Sequence, residues 1–127
     1  MQLVRFVQNL SVLLFWPGVI LIAWGELTPQ PPQLGGVFGW DKLEHFTAYF
    51  GLASMATMMV GLRPRLGWAI LGVILFGGAL EILQGYTGRD PEVLDFVANS
   101  LGAIAGLGAG ALFFRLFDPL VDAQGAD

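Results

Sequence analysis

Cysteine is absent from the chain, and histidine occurs once, at His45. The first absence excludes disulfides, thiolate metal sites and cysteine nucleophiles. Together with a lone histidine it argues against a zinc centre, so neither a metal nor a cofactor is expected. Charge is scarce as well: charged residues make up 13% of the sequence, about half the share of an average soluble domain. The basic residues Arg5, Lys42, Arg63, Arg65, Arg89 and Arg115 are scattered and form no stripe, and the net charge is −4. Nucleic acid is therefore not an expected partner. A small-x-small cleavage pattern is also lacking after the first apolar run, where the chain reads Ala23-Trp24-Gly25-Glu26. That run is expected to stay as a membrane anchor and not to leave as a signal peptide.

What the chain has in abundance is apolar length. Hydrophobic residues are 55% of its 127 positions, with long apolar runs such as Leu10 to Trp24 and Trp68 to Leu80. Six basic and ten acidic residues are too few to cover a water-soluble surface while hiding such runs, whereas a bilayer removes the difficulty. The length fits one domain over 1–127. A helix rises 1.5 Å per residue, so a hydrocarbon core of about 30 Å needs about 20 residues. Four segments meet that need: Leu3–Trp24, Leu43–Leu62, Leu66–Tyr86 and Leu94–Phe117. The expected fold class is all-α, a polytopic membrane bundle of four transmembrane helices.

The connections support this division. Prolines and paired glycines between Thr28 and Gly36 forbid a continuous helix. Arg63-Pro64-Arg65 is so short that the helices it joins form an antiparallel hairpin. In the third connection, Thr87 to Val93, Asp90-Pro91-Glu92 reads as a helix start with proline in the first turn. Arg5, Arg63, Arg65 and Arg115 fall on one side of the spans, against Lys42 and Arg89 on the other. The positive-inside rule then places both termini in the cytoplasm, in the cytoplasmic (inner) membrane. Trp16, Trp24, Trp40, Trp68 and Tyr86 lie mostly near span ends, as interfacial anchors do.

In this topology three helix ends meet at the outer face, and they carry the costly residues. Asp41, His45 and Tyr49 repeat every four positions on one face of the second helix. The third helix carries Glu81 and Gln84, the following loop Arg89 and Asp90, and the fourth helix Asp95 and Asn99. A charge at the centre of a span costs roughly 2.5–3.5 kcal/mol, so Glu81 and Asp95 are expected to face the bundle interior. Their expected partners are Lys42, Arg89 and His45, with a Glu81 pair to Arg89 or Lys42. Glu44, Asp90 and Glu92 are read as solvated helix-end charges. Gly102, Gly106 and Gly110 repeat at GxxxG spacing and are read as a helix-packing face. Gly106 to Ala111 mimics a dinucleotide fingerprint but lies in an apolar helix with no preceding strand. Glu44-His45 lacks the second histidine of a zincin.

The blocks Asp41-Lys42-x-x-His45-x-x-x-Tyr49, Glu81-x-x-Gln84, Arg89 and Asp95-x-x-x-Asn99-x-x-Gly102 resemble, in that order from about Trp40 to Gly110, the motifs of the VanZ-like membrane protein family. The resemblance implies a multi-pass bundle in a bacterial cell envelope and a family link to resistance against the glycopeptide teicoplanin. Two functional readings follow from the residues. In one, the outer polar site binds or processes an anionic lipid or glycan precursor of the envelope. Lys42 and Arg89 then contact the anion, and His45, Glu81 and Asp95 handle protons as candidate catalytic groups. Asp41, Tyr49, Gln84 and Asn99 complete the binding set. In the other, the chain is a non-enzymatic scaffold or assembly protein whose polar residues lock the bundle. Membrane lipid is a partner in both, and self-association stays open. A transporter would need to oligomerise, because four helices enclose no path and show no inverted repeat.

Overall fold

The computed structural model describes residues 2–29 and 40–118. Four α-helices account for nearly all of them, and no strand occurs among the described residues. The helices are α1 (Gln2–Leu27), α2 (Trp40–Val60), α3 (Leu66–Gln84) and α4 (Val93–Phe117). The proline-rich connection over residues 30–39, the Trp40 ring and the acidic tail from 119 onward lie outside the described residues.

Two glycines shape the turns between helices. Gly61, at φ 72°, closes α2, and Gly88, at φ 83°, turns the chain between α3 and α4; a side chain would be strained at either position. Asp95 in the first turn of α4 and Arg115 in its last turn both complement the helix dipole. Compared with the expected spans, α1 runs on past Trp24 and takes in Glu26, and α2 begins early enough to hold Asp41 and Lys42 in its first turn. The third helix stops at Gln84, leaving Tyr86 in the turn. Pro91 precedes the N-cap residue Glu92 and so stands outside α4, not in its first turn.

The helices α1, α3 and α4 are each long and apolar enough to cross a membrane. α2 is not among them, although its 21 residues span about 32 Å; it falls short in composition, not in length. Position explains why. α2 is the central helix, packed most extensively on α4 and also on α1 and α3. Three of its polar residues point inward: His45, Tyr49 and Thr57 are buried. The outside of the bundle is apolar instead, with Leu13, Trp16, Ile20, Trp68, Leu75, Ile104 and Leu116 all more than half exposed. This inversion suits lipid and not water.

The main core joins Tyr49, Leu52, Ala53 and Ala56 of α2 to Leu66, Ile70 and Val73 of α3 and Ala103 of α4. A smaller cluster of Val4, Met58 and Phe114 closes one end of the bundle. Between α2 and α4 the backbones touch. A Cβ on Gly102 would run into the Phe46 carbonyl, one on Gly106 into the Phe50 carbonyl, and one on Gly110 would stand 2.7 Å from Thr57 Cβ. The Ser54 hydroxyl adds a 3.3 Å hydrogen bond to the Gly106 carbonyl across the same seam. The three glycines thus meet α2 within the chain.

Candidate functional site

The end of the bundle away from the Val4, Met58 and Phe114 cluster is built from four helix termini: the end of α1, the start of α2, the end of α3 and the start of α4. Their apolar faces bring the polar positions together, because each polar side chain continues the inward face of its helix. In α2, Tyr49 and His45 lie one and two turns before Ala53. In α4, Asp95 and Asn99 precede Gly102 and Gly106 on the seam, and all four are buried.

His45 stands at the centre. Its Nδ1 lies 2.9 Å from Asn99 Oδ1, 3.5 Å from Glu26 Oε1 and 3.9 Å from Glu81 Oε1. Its Nε2 lies 3.5 Å from Asp95 Oδ2 and 3.8 Å from Asp41 Oδ1. One imidazole therefore meets four carboxylates and a carboxamide, and only Asp41 among these five is substantially exposed.

The two cations take other places than expected. The Lys42 ammonium sits among three carboxylates, bonded to Asp95, 2.5 Å from Glu92 Oε2 and 3.2 Å from Asp41 Oδ2. Arg89 donates from Nη1 to the backbone carbonyl of Glu26 at 3.0 Å, and Gln84 Nε2 donates to the same oxygen at 2.9 Å. That carbonyl belongs to the last turn of α1, where helical acceptors have no partner within the helix; α3 and the following loop supply the missing donors. Glu81 pairs with neither Arg89 nor Lys42 here. It accepts from the Glu92 backbone N–H at 3.3 Å and faces His45.

All nine polar positions singled out in the sequence, Asp41, Lys42, His45, Tyr49, Glu81, Gln84, Arg89, Asp95 and Asn99, fall in or against this one cluster. Tyr49 is completely buried with its hydroxyl beside Glu26, and its ring occupies the space that Gly77 of α3 leaves, where a Cβ would come within 2.9 Å of Tyr49 Cε1. Two members escaped sequence reasoning. Glu92, read as a solvated helix-end charge, binds Lys42 by its side chain and Glu81 by its backbone. Glu26, read as the polar boundary of the first span, is only 8% exposed and adjoins His45. No local signal marked it, because a carboxylate at the end of an apolar run reads as an ordinary solvated interfacial charge.

Five carboxylates, from Glu26, Asp41, Glu81, Glu92 and Asp95, surround one lysine, one arginine and one histidine. The arrangement has excess negative character, and several of its atoms lack partners. Both Glu26 carboxylate oxygens, Glu81 Oε1, the Tyr49 hydroxyl, Gln84 Oε1 and Asn99 Nδ2 are buried without a hydrogen bond from the protein. Buried polar groups are normally satisfied, so these atoms call for partners from outside the protein, whether water or a ligand. No family model, no curated protein and no solved structure matches the chain.

Proposed function

We propose that the chain is a four-span, VanZ-like protein of the bacterial cytoplasmic membrane, with both termini in the cytoplasm. Its polar end binds or processes an anionic lipid or glycan precursor of the envelope at headgroup level. The observation that carries this reading is the buried ring of carboxylates around His45 in an otherwise apolar bundle. Ionisable groups at such depth are expensive and by default functional. The contact of α2 with α4 does not depend on a polar clasp, because the Gly102, Gly106 and Gly110 seam already holds these two helices together by backbone contact.

Tyr86, Val93 and Leu94 stand far out of the protein beside the cluster, as side chains at a membrane interface do. Their exposure supports reading the cluster at headgroup depth. Of the two cations, Arg89 is the better contact for an anion, since among the described residues only its Nη1 is engaged and a guanidinium has five N–H donors. Lys42 is already enclosed by acids.

The test separates function from folding. Glu81→Gln keeps shape and hydrogen-bonding capacity while removing charge. In a host that lacks its own copy, this variant is expected to fold and insert but fail to restore resistance to glycopeptide or detergent stress. Gly106→Leu should unfold the protein through steric conflict with α2. If Glu81→Gln unfolds it equally, or keeps full activity, the scaffold reading replaces this one.

A further inference from the structure

We propose that Glu26, His45 and Glu81, with Asn99 beside them, form a binding site for one divalent first-row transition ion such as Mn²⁺ or Zn²⁺. The proposal rests on reading the cluster as a binding site and names what it holds. The sequence alone argues against a metal because it counts one histidine and no cysteine; the fold adds a ligand, Glu26, that no local pattern marks.

Geometry comes first. The donor atoms of Glu26, His45 and Glu81 lie within 4.8 Å of one another. The separations from His45 Nδ1 are 3.5 Å to Glu26 Oε1, 3.9 Å to Glu81 Oε1 and 2.9 Å to Asn99 Oδ1. Around an ion with bonds of about 2.1 Å, neighbouring ligands stand about 3.0 Å apart and opposite ones about 4.2 Å apart. The observed separations match that range, so one ion can be reached with only small side-chain shifts.

The second observation is independent of the acids. Tyr49 is 0% exposed, and its hydroxyl stands beside Glu26 without a hydrogen bond of normal geometry. Both Glu26 oxygens and Glu81 Oε1 are equally unpartnered. One bare carboxylate and a second with one oxygen unpartnered are costly in an apolar bundle, and a divalent ion between them balances their two charges.

The far side of the imidazole is prepared as well. With the ion on Nδ1, the ring carries its proton on Nε2 and donates it toward Asp95 Oδ2, 3.5 Å away. A carboxylate on the outer nitrogen of a metal-bound histidine is the usual orienting partner. The other acidic trio, Asp41, His45 and Asp95, is a poor alternative, because the Lys42 ammonium already bonds both of its carboxylates. One imidazole among oxygen donors suits Mn²⁺, Fe²⁺ or Zn²⁺ better than Mg²⁺ or Ca²⁺.

Binding can be measured on the purified full chain in detergent, with any affinity tag removed and metal stripped by chelator, so the result does not depend on the envelope phenotype. Equilibrium dialysis against micromolar MnCl₂ or ZnCl₂ should leave one ion per chain. Pulsed electron paramagnetic resonance of the Mn²⁺ form should show coupling to a single imidazole nitrogen, which can only come from His45, the sole histidine. Glu26→Gln should weaken binding by more than about 100-fold, and Asp95→Asn by about 10–100-fold. Asp90→Asn, an exposed carboxylate at the same end, should change nothing. Retention of no ion, bound Mn²⁺ without nitrogen coupling, or undiminished binding by folded Glu26→Gln would each overturn the site. Should Glu26→Gln fail to fold, the nitrogen coupling in the unaltered protein decides alone. A chain that binds no metal yet loses its phenotype in Glu81→Gln would refute the ion while leaving the envelope function standing.

Discussion

At Glu26 a carboxylate is held without hydrogen-bond partners among other acids, an arrangement that costs stability and persists in proteins where function requires it. Glu26→Gln is therefore expected to raise the thermal unfolding temperature of chelator-treated protein in detergent, by an amount worth about 1 kcal/mol or more. Unchanged or lowered stability would mean that the carboxylate is already well compensated. Lys42 predicts the opposite sign. It is the cation that neutralises Asp95, whose side chain is 4% exposed, so Lys42→Met should destabilise by about 2 kcal/mol or more by leaving a buried charge bare. Adding Asp95→Asn to Lys42→Met should return much of that loss in a double-mutant cycle. The sequence revealed most of these residues, because acids inside apolar runs are conspicuous. Glu26 was hidden by its position: at the end of an apolar run it looks like any interfacial charge, and its burial depends on where α2 and α3 close around it.

Among the helices, the contact between α2 and α4 is the most demanding, since it is made by backbone. Gly106→Ala places a methyl group against the Phe50 carbonyl, which cannot swing aside, and should cost about 1–3 kcal/mol. Gly108, two residues on, has nothing within 4 Å of an added Cβ. Gly108→Ala should therefore be neutral or stabilise by up to about 1 kcal/mol through helix propensity. Thermal unfolding of the two variants side by side checks the seam, and equal effects would show that α4 turns a different face to α2. The GxxxG spacing made this face legible in advance. The helix ends were less so: a charged residue such as Asp41 or Glu26 tolerates either the last helical turn or the adjoining loop, and tertiary contacts decide between them.

For the molecule as a whole, the basic residues predict a definite topology. Reporter fusions after Arg65 and at Asp127 should read as cytoplasmic, and one at Gly35 as external. An external reading after Arg65 together with a cytoplasmic one at Gly35 would invert the bundle and put the acidic end inside the cell. The four-span reading depends most on α2, whose composition alone does not establish it as a span. Its polar residues His45, Tyr49 and Thr57 are covered by other helices, so hydropathy summed along the chain penalises residues that do not face lipid.

The burial of α2 by α4 also bears on the order of synthesis. On the four-span reading, α2 emerges from the ribosome long before the helix that covers its His45 and Tyr49 face. Until α4 arrives, the nascent protein must keep that face in the insertion machinery's lateral gate, among headgroups, or against α1 and α3. Chains truncated before residue 93 should therefore be short-lived in cells, recognised by membrane quality-control proteases as unfinished. Co-expression of α4 as a separate fragment should restore their lifetime in pulse-chase labelling, and a Gly106→Leu fragment should not.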